Sequence, residues 1–265
     1  MTEQGHQSTI PAARARRAAV GFALLGGALA SALAAAPAAA QGASGDGFLF
    51  RRPIGSFTVR GGFDRARAGS DVFDFATDQL TLSRSDFGAF SVGADLAFRI
   101  GARADLGVGV AFAGSEAPSE FRRFVDQDDR PIEQSTELRR VPVTATLKAY
   151  LTPRGRSIGR YAWVPARYAP YVAAGGGAMW SRFRQEGDFV DFETNDVFPD
   201  RLTSTSWTPT AHGAAGLDYS LSPRFALTGE GRYTWARADL SGDFAGFDPI
   251  DLSGVSATVG LSVRF

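Results

Sequence analysis

The 265-residue chain has no cysteine, so no disulfide framework holds it and no N-terminal cysteine is available for lipid attachment. Neither sign of charge predominates, with 28 Lys+Arg against 28 Asp+Glu. That balance excludes the basic footprint of a nucleic-acid-binding domain. Beyond residue 40 no apolar run approaches the roughly 20 residues of a membrane helix. If this part of the chain enters a membrane, it must do so as a closed barrel, which leaves no backbone group unpaired in hydrocarbon. Helix-period patterning is scarce after residue 50. Histidine is nearly absent, with only His6 and His212.

The N-terminus carries a distinct pattern. Arg14, Arg16 and Arg17 precede an Ala/Leu-rich stretch from Val20 to Ala36, and Ala38, Ala39 and Ala40 stand before Gln41. Basic residues, an apolar stretch and a small-residue site in that order predict a cleavable secretory signal over 1–40 rather than a membrane anchor. Its removal takes three Arg and one Glu and leaves a slightly acidic remainder of roughly 225 residues, the size of one large β domain. The expected division is a signal peptide at 1–40, a periplasmic N-terminal segment at 41–55 and a barrel at 56–265.

Alternation of period two dominates that remainder. Phe90, Val92, Ala94, Leu96, Phe98 and Ile100 share one face, while Ser91, Gly93, Asp95, Ala97 and Arg99 share the other. The same reading predicts eight strands, at about 56–65, 90–100, 104–112, 138–151, 170–183, 207–221, 225–236 and 255–265. The fifth is so rich in Gly and Ala that its facing stays open. Long connections at 66–86, 114–137, 184–206 and 237–252 alternate with short ones at Gly101–Arg103 and Ser222–Arg224. That rhythm predicts an all-β, eight-stranded antiparallel transmembrane β-barrel with long extracellular loops and mostly short periplasmic turns. Thr152–Ala169, with Arg154, Arg156, Arg160 and Arg167, breaks the rhythm and is expected to be a decorated turn rather than a contact element.

A soluble barrel also alternates, with its apolar set turned inward. Three features favour lipid outside. The polar face carries both signs of charge, at Arg60, Asp64, Asp95, Arg99, Asp105, Lys148, Asp218, Glu230, Arg232 and Arg264, which suits a narrow lumen filled by paired side chains. Phe63, Phe90, Phe112, Trp180, Trp207, Tyr233 and Trp235 gather toward the long connections, as a membrane girdle does. The chain closes on the stripe Val255, Ala257, Val259, Leu261, Val263 and Phe265, which has no evident use on a soluble barrel. Arg99 and Asp105 should face each other across the short turn and form an ion pair.

With the signal and the eight segments in place, VPVTATLKAYL, APYVAAGGGAMW and LSPRFALTGEGRYTW resemble the small outer-membrane β-barrel proteins of the OmpA, OmpX and OmpW type, and the OmpW type most. The resemblance covers nearly the whole remainder. It implies residence in the cell outer membrane, contact with outer-membrane lipids, and recognition of the terminal Phe265 by the barrel-assembly machinery.

Some barrels of this type modify lipid A with a His, a nearby Ser and an acid. Here the same-face neighbours of His212 are Thr210 and Ala214, while Ser206 and Ser220 lie farther along the strand. His212 is therefore expected to be a hydrogen-bonded lumen residue, with no catalytic, metal or cofactor site in the chain. Four connections mix Phe with Asp, as in Asp71–Phe75, Phe121–Asp126, Asp188–Phe192 and Asp243–Asp248. The readings are loops packed together by their rings, a mouth for a small apolar ligand, or a cation site at Asp188, Asp191, Glu193 and Asp196. The first is preferred because no spacing matches a defined calcium loop. The expected role is non-enzymatic, in envelope structure or in interaction with an extracellular ligand. The alternative is an OmpW-like passive channel for small apolar solutes, with lipid A modification a distant third.

Overall fold

The computed structural model describes residues 47–191, 194 and 196–265. The expected signal peptide, the start of the 41–55 segment, and Phe192 and Glu193 of the acidic loop lie outside the described residues. Eight strands form one antiparallel ring: β1 (Gly55–Ala66), β2 (Gly88–Arg99), β3 (Ala104–Val125), β4 (Pro131–Tyr150), β5 (Tyr168–Val190), β6 (Val197–Ser220), β7 (Phe225–Ala238) and β8 (Gly254–Arg264). Each pairs with its successor, and β8 returns to β1 from Gly254↔Ala66 to Arg264↔Ser56. Closure leaves no free edge.

The alternation fixes the faces. Val255, Val259 and Leu261 on β8 with Phe265 just after it, Leu106, Val108 and Val110 on β3, and Val143 and Leu147 on β4 are all exposed, whereas Thr58, Ser91, Thr144, Thr146, Asp218, Glu230 and Ser262 are buried. The ring is thus apolar outside and polar inside. The fifth strand, ambiguous from its composition, is placed by pairing. Ala145↔Gly176 and Gly176↔Ala211 put Val172, Ala174, Gly176, Ala178 and Trp180 outward, and Tyr171, Ala173, Gly175 and Met179 inward.

Four strands are much longer than the alternation indicates. The segments expected as loops at 114–137 and 184–206 are mostly paired strand: β3 and β4 stay in register past Ser119↔Gln134, and β5 and β6 as far as Val190↔Val197. A membrane crossing needs only about 9–11 residues, and these strands have 20 to 24, so about half of each hairpin stands beyond the apolar band. There both faces meet water or neighbouring hairpins and the period-two signal fades. At the β3–β4 tip, the Asp126 carboxylate accepts the amides of Arg130 and Asp128, each at 2.8 Å. These bonds hold its pKa below the usual carboxylate range.

The 66–86 connection contains a helix, α1 (Asp71–Gln79), with Asp71 and Asp74 in its first turn, where the helix dipole favours acids. Its Val72, Phe73 and Ala76 are buried, the first two in one cluster with Leu80, Phe87, Phe183, Phe244, Ile250 and Leu252, above inward-facing Leu138 and Met179. Phe73 meets Phe87 and Phe183 edge-on at 4.7 and 5.7 Å, and Phe183 meets Phe244 at 5.1 Å. The connections at 66–86 and 237–252 therefore form, with Phe183, an apolar cap over the long-hairpin end of the bore.

The other end is also covered, by the connection expected as a decorated turn. Gly155–Ile158 and Ala162–Pro165 form a hairpin, and Leu49–Phe50 adds a third strand. This small sheet buries Trp163.

Candidate functional site

The bore is filled at successive levels between these two covers. At mid-height Arg60 on β1 contacts Asp95 at 2.9 Å and Glu230 at 3.3 Å. Glu230 on β7 also takes Arg232 at 2.8 Å and accepts the Tyr171 hydroxyl at 2.9 Å. The Lys148 ammonium stands 4.3 Å from the centre of the Tyr171 ring. His212 is 3.1 Å from the Thr146 hydroxyl through Nε2, and its Nδ1 has no hydrogen-bond partner among the described residues. Two glycines make room for these groups. A Cβ at Gly109 would lie 2.1 Å from the Asp95 carboxylate, and one at Gly216 would lie 2.4 Å from the Tyr171 hydroxyl. The space left at this level is about 40 Å³, room for little more than a water molecule.

Toward the long hairpins, Arg140 pairs with Asp64 and donates to the Leu252 carbonyl at 3.2 Å. Toward the short turns, Tyr150 and Thr228 both donate to Asp218 at 2.9 Å. Arg264 donates to Ser220 at 2.9 Å and lies against Trp163. A second space at this level measures about 20 Å³.

The expected ion pair between Arg99 and Asp105 does not form. The two residues are register partners, but Arg154 takes Asp105 at 2.5 Å, with both side chains largely buried. Arg154 also stacks on Tyr150, its guanidinium 4.4 Å from the ring centre. It arrives from the basic connection, whose short hairpin turns it back into the end of the bore. The Arg99 Nε is left without a hydrogen-bond partner among the described residues. Arg154→Ala should therefore loosen this connection, and tryptic cleavage in the 152–169 segment is expected to speed up several-fold; an unchanged rate would mean that the Trp163 packing alone secures it.

All eleven polar residues expected in the lumen, Arg60, Asp64, Asp95, Arg99, Asp105, Lys148, His212, Asp218, Glu230, Arg232 and Arg264, have inward positions in the paired strands. Among their partners, Arg140, Arg154, Thr146, Tyr150, Tyr171, Ser220 and Thr228 are members the expected set omits. Parity with Lys148 marks Arg140, Thr146 and Tyr150 as inward too. Tyr171 was hidden by the ambiguous fifth strand. Near His212, Ser206 bonds to Ser181 at 3.0 Å and Ser220 to Arg264, so neither serine engages the imidazole. Among the described residues no group of three or more His, Asp or Glu is placed to hold a metal ion.

Outward rings mark the two edges of the apolar band. Phe63 faces Phe90 and Trp180 faces Trp207 in register at the long-hairpin edge, with Trp235 also exposed there. Phe98 meets Phe265 edge-on at 6.3 Å at the other.

No family model and no curated protein matches the chain. Among solved structures, the outer membrane protein OprG from Pseudomonas aeruginosa is 16% identical with a TM-score of 0.45, over 82% of this chain and 99% of its own. Neisserial surface protein A is 14% identical with a TM-score of 0.43, over 80% and 99%. Outer Membrane Protein W of E. coli is 16% identical with a TM-score of 0.38, over 81% and 100%. At such identities the likeness concerns fold alone. The closed ring described above, apolar outside and polar inside, is the architecture of a small outer-membrane β-barrel.

Proposed function

We propose that this chain spans the outer membrane as an occluded, non-enzymatic barrel that serves envelope structure or surface interaction through its long hairpins. The observation that carries this reading is the filled bore: charged side chains at successive heights, an apolar cap at one end and a small sheet with Arg154 at the other. A narrow lumen closed by paired charges suits a scaffold better than a conduit. The long hairpins face the cell exterior, and the small sheet and Phe265 face the periplasm, where the assembly machinery reads the final strand. Against catalysis stands the setting of His212, whose Nε2 meets Thr146 within a space of about 40 Å³, too small for a lipid acyl chain.

Reconstitution tests this directly. Liposomes holding the full chain should swell no faster in small sugars than protein-free liposomes, and planar bilayers should show no steady single-channel current. Sugar flux at porin-like rates would overturn the occluded reading. Selective uptake of a small apolar solute would favour the passive channel instead.

A further inference from the structure

Just beyond the aromatic edge at the long-hairpin end, the outer face carries a row of arginines. Arg65 stands two residues beyond Phe63 on β1, Arg139 two beyond Val141 on β4, Arg182 two beyond Trp180 on β5 and Arg237 two beyond Trp235 on β7. At the same step β2, β3 and β6 place Gly88, Gly114 and Thr205, and the one acid opposite the row, Asp251, faces Arg237 on β7, away from β4 and β5. Two residues of strand advance about 7 Å, which sets these guanidiniums at headgroup depth if the rings mark the edge of the hydrocarbon.

On β4 and β5 the row deepens into a cluster. Arg139 and Arg182 are direct cross-strand partners, an arrangement that costs stability unless an anion lies between them. Glu137, with its side chain only 3% exposed, supplies one carboxylate to three guanidiniums: Arg139 at 2.8 Å, Arg182 at 2.8 Å and Arg184 at 2.9 Å. The three arginine side chains stay 39%, 26% and 24% exposed. Of the acids farther out, Glu116 accepts from Ser135 at 3.2 Å, and Glu186 pairs with Arg201 at 2.5 Å and reaches Arg184 only at 3.8 Å. The edge nearest the membrane is therefore left with excess positive charge and partly free guanidinium forks, whose geometry suits phosphate.

We propose that Arg139, Arg182 and Arg184, gathered by Glu137, form a seat for a phosphate group on a lipid headgroup of the outer leaflet; this rests on the membrane-spanning reading. The probe is native mass spectrometry of the full chain released from mixed micelles of phosphatidylcholine and a phosphorylated glycolipid. Wild-type protein should retain the phosphorylated lipid in preference to phosphatidylcholine. In Arg139→Gln/Arg182→Gln the preference should fall roughly tenfold or more, on the scale set by two basic residues at an anionic surface. Arg130→Gln, at the β3–β4 tip and paired there with Asp128, lies outside the cluster and should leave it unaltered. If the double variant does not fold, Arg184→Gln alone should still lower the preference measurably. Unchanged retention in the folded variants would overturn the seat, as would equal displacement of the lipid by inorganic phosphate. Insertion of the wild-type chain into pure phosphatidylcholine vesicles is scored separately, so failure of the seat is distinguishable from failure of the membrane reading.

Discussion

Glu230→Ala is expected to lower the unfolding free energy by about 3–5 kcal/mol, the cost of removing one member of a buried charge group and leaving its partners uncompensated. Glu230 joins Arg60, Arg232 and the Tyr171 hydroxyl across three strands of the ring. Its loss would leave two guanidiniums in a narrow bore with only Asp95, bound to Arg60, to balance them. Combining Glu230→Ala with Arg232→Ala should recover part of the loss, with a coupling energy of about 1–3 kcal/mol for groups in direct contact. Urea titration of the reconstituted chain, read by tryptophan fluorescence, measures both. Additive losses would mean that the bore is wetter and its charges more independent than the contact distances imply.

Val259→Arg is the second large effect, and it concerns the opposite face. Val259 is the central residue of β8, pairs with Gly61 and Gly229, and is exposed on the outside of the ring. An arginine at the midplane of a lipid-facing strand costs about 2–4 kcal/mol, and near the interface only about 0–1. Val255→Arg, at the long-hairpin edge of the same stripe, should accordingly cost far less than Val259→Arg. Vesicle refolding titrations of the two variants check that gradient. Equal, small costs would indicate that water surrounds both positions.

The sequence is most legible where one face is buried and the other meets a uniform surrounding. Phe90 to Phe98 and Val255 to Val263 alternate cleanly because every second residue sits in the same medium, so their facing follows from side-chain period alone. That regularity stops where hairpins leave the apolar band. Glu137, Arg139, Arg182 and Arg184 all lie on the outer face, yet the carboxylate is buried under its three partners. A residue that is outward and buried by neighbouring charges has no signature in a hydrophobic pattern. Gly175, Gly176 and Gly177 hide the facing of β5 because they lack a side chain, and only pairing with β4 and β6 resolves it.

Arg154 illustrates a different failure. Register correctly set Arg99 opposite Asp105, but an ion pair depends on everything within reach, including a connection that folds back. The available signal was Trp163: an indole within a basic turn needs a surface to bury against, and it found the end of the bore. The helix at Asp71–Gln79 was obscured in the same way, since only its packing on Phe183 and Phe244 gives its short apolar face a partner.

The absence of cysteine makes one experiment especially direct. Single cysteines placed in turn from Val255 to Val263, each carrying a nitroxide label, report the medium at every position of β8 in reconstituted vesicles. Labels at 255, 257, 259, 261 and 263 should collide with lipid-soluble oxygen and escape a water-soluble relaxant, most strongly at 259, while labels at 256, 258, 260 and 262 should meet little of either. Strong relaxation of the odd-numbered positions by the aqueous reagent would show that water, and not hydrocarbon, bathes the outer face of the ring.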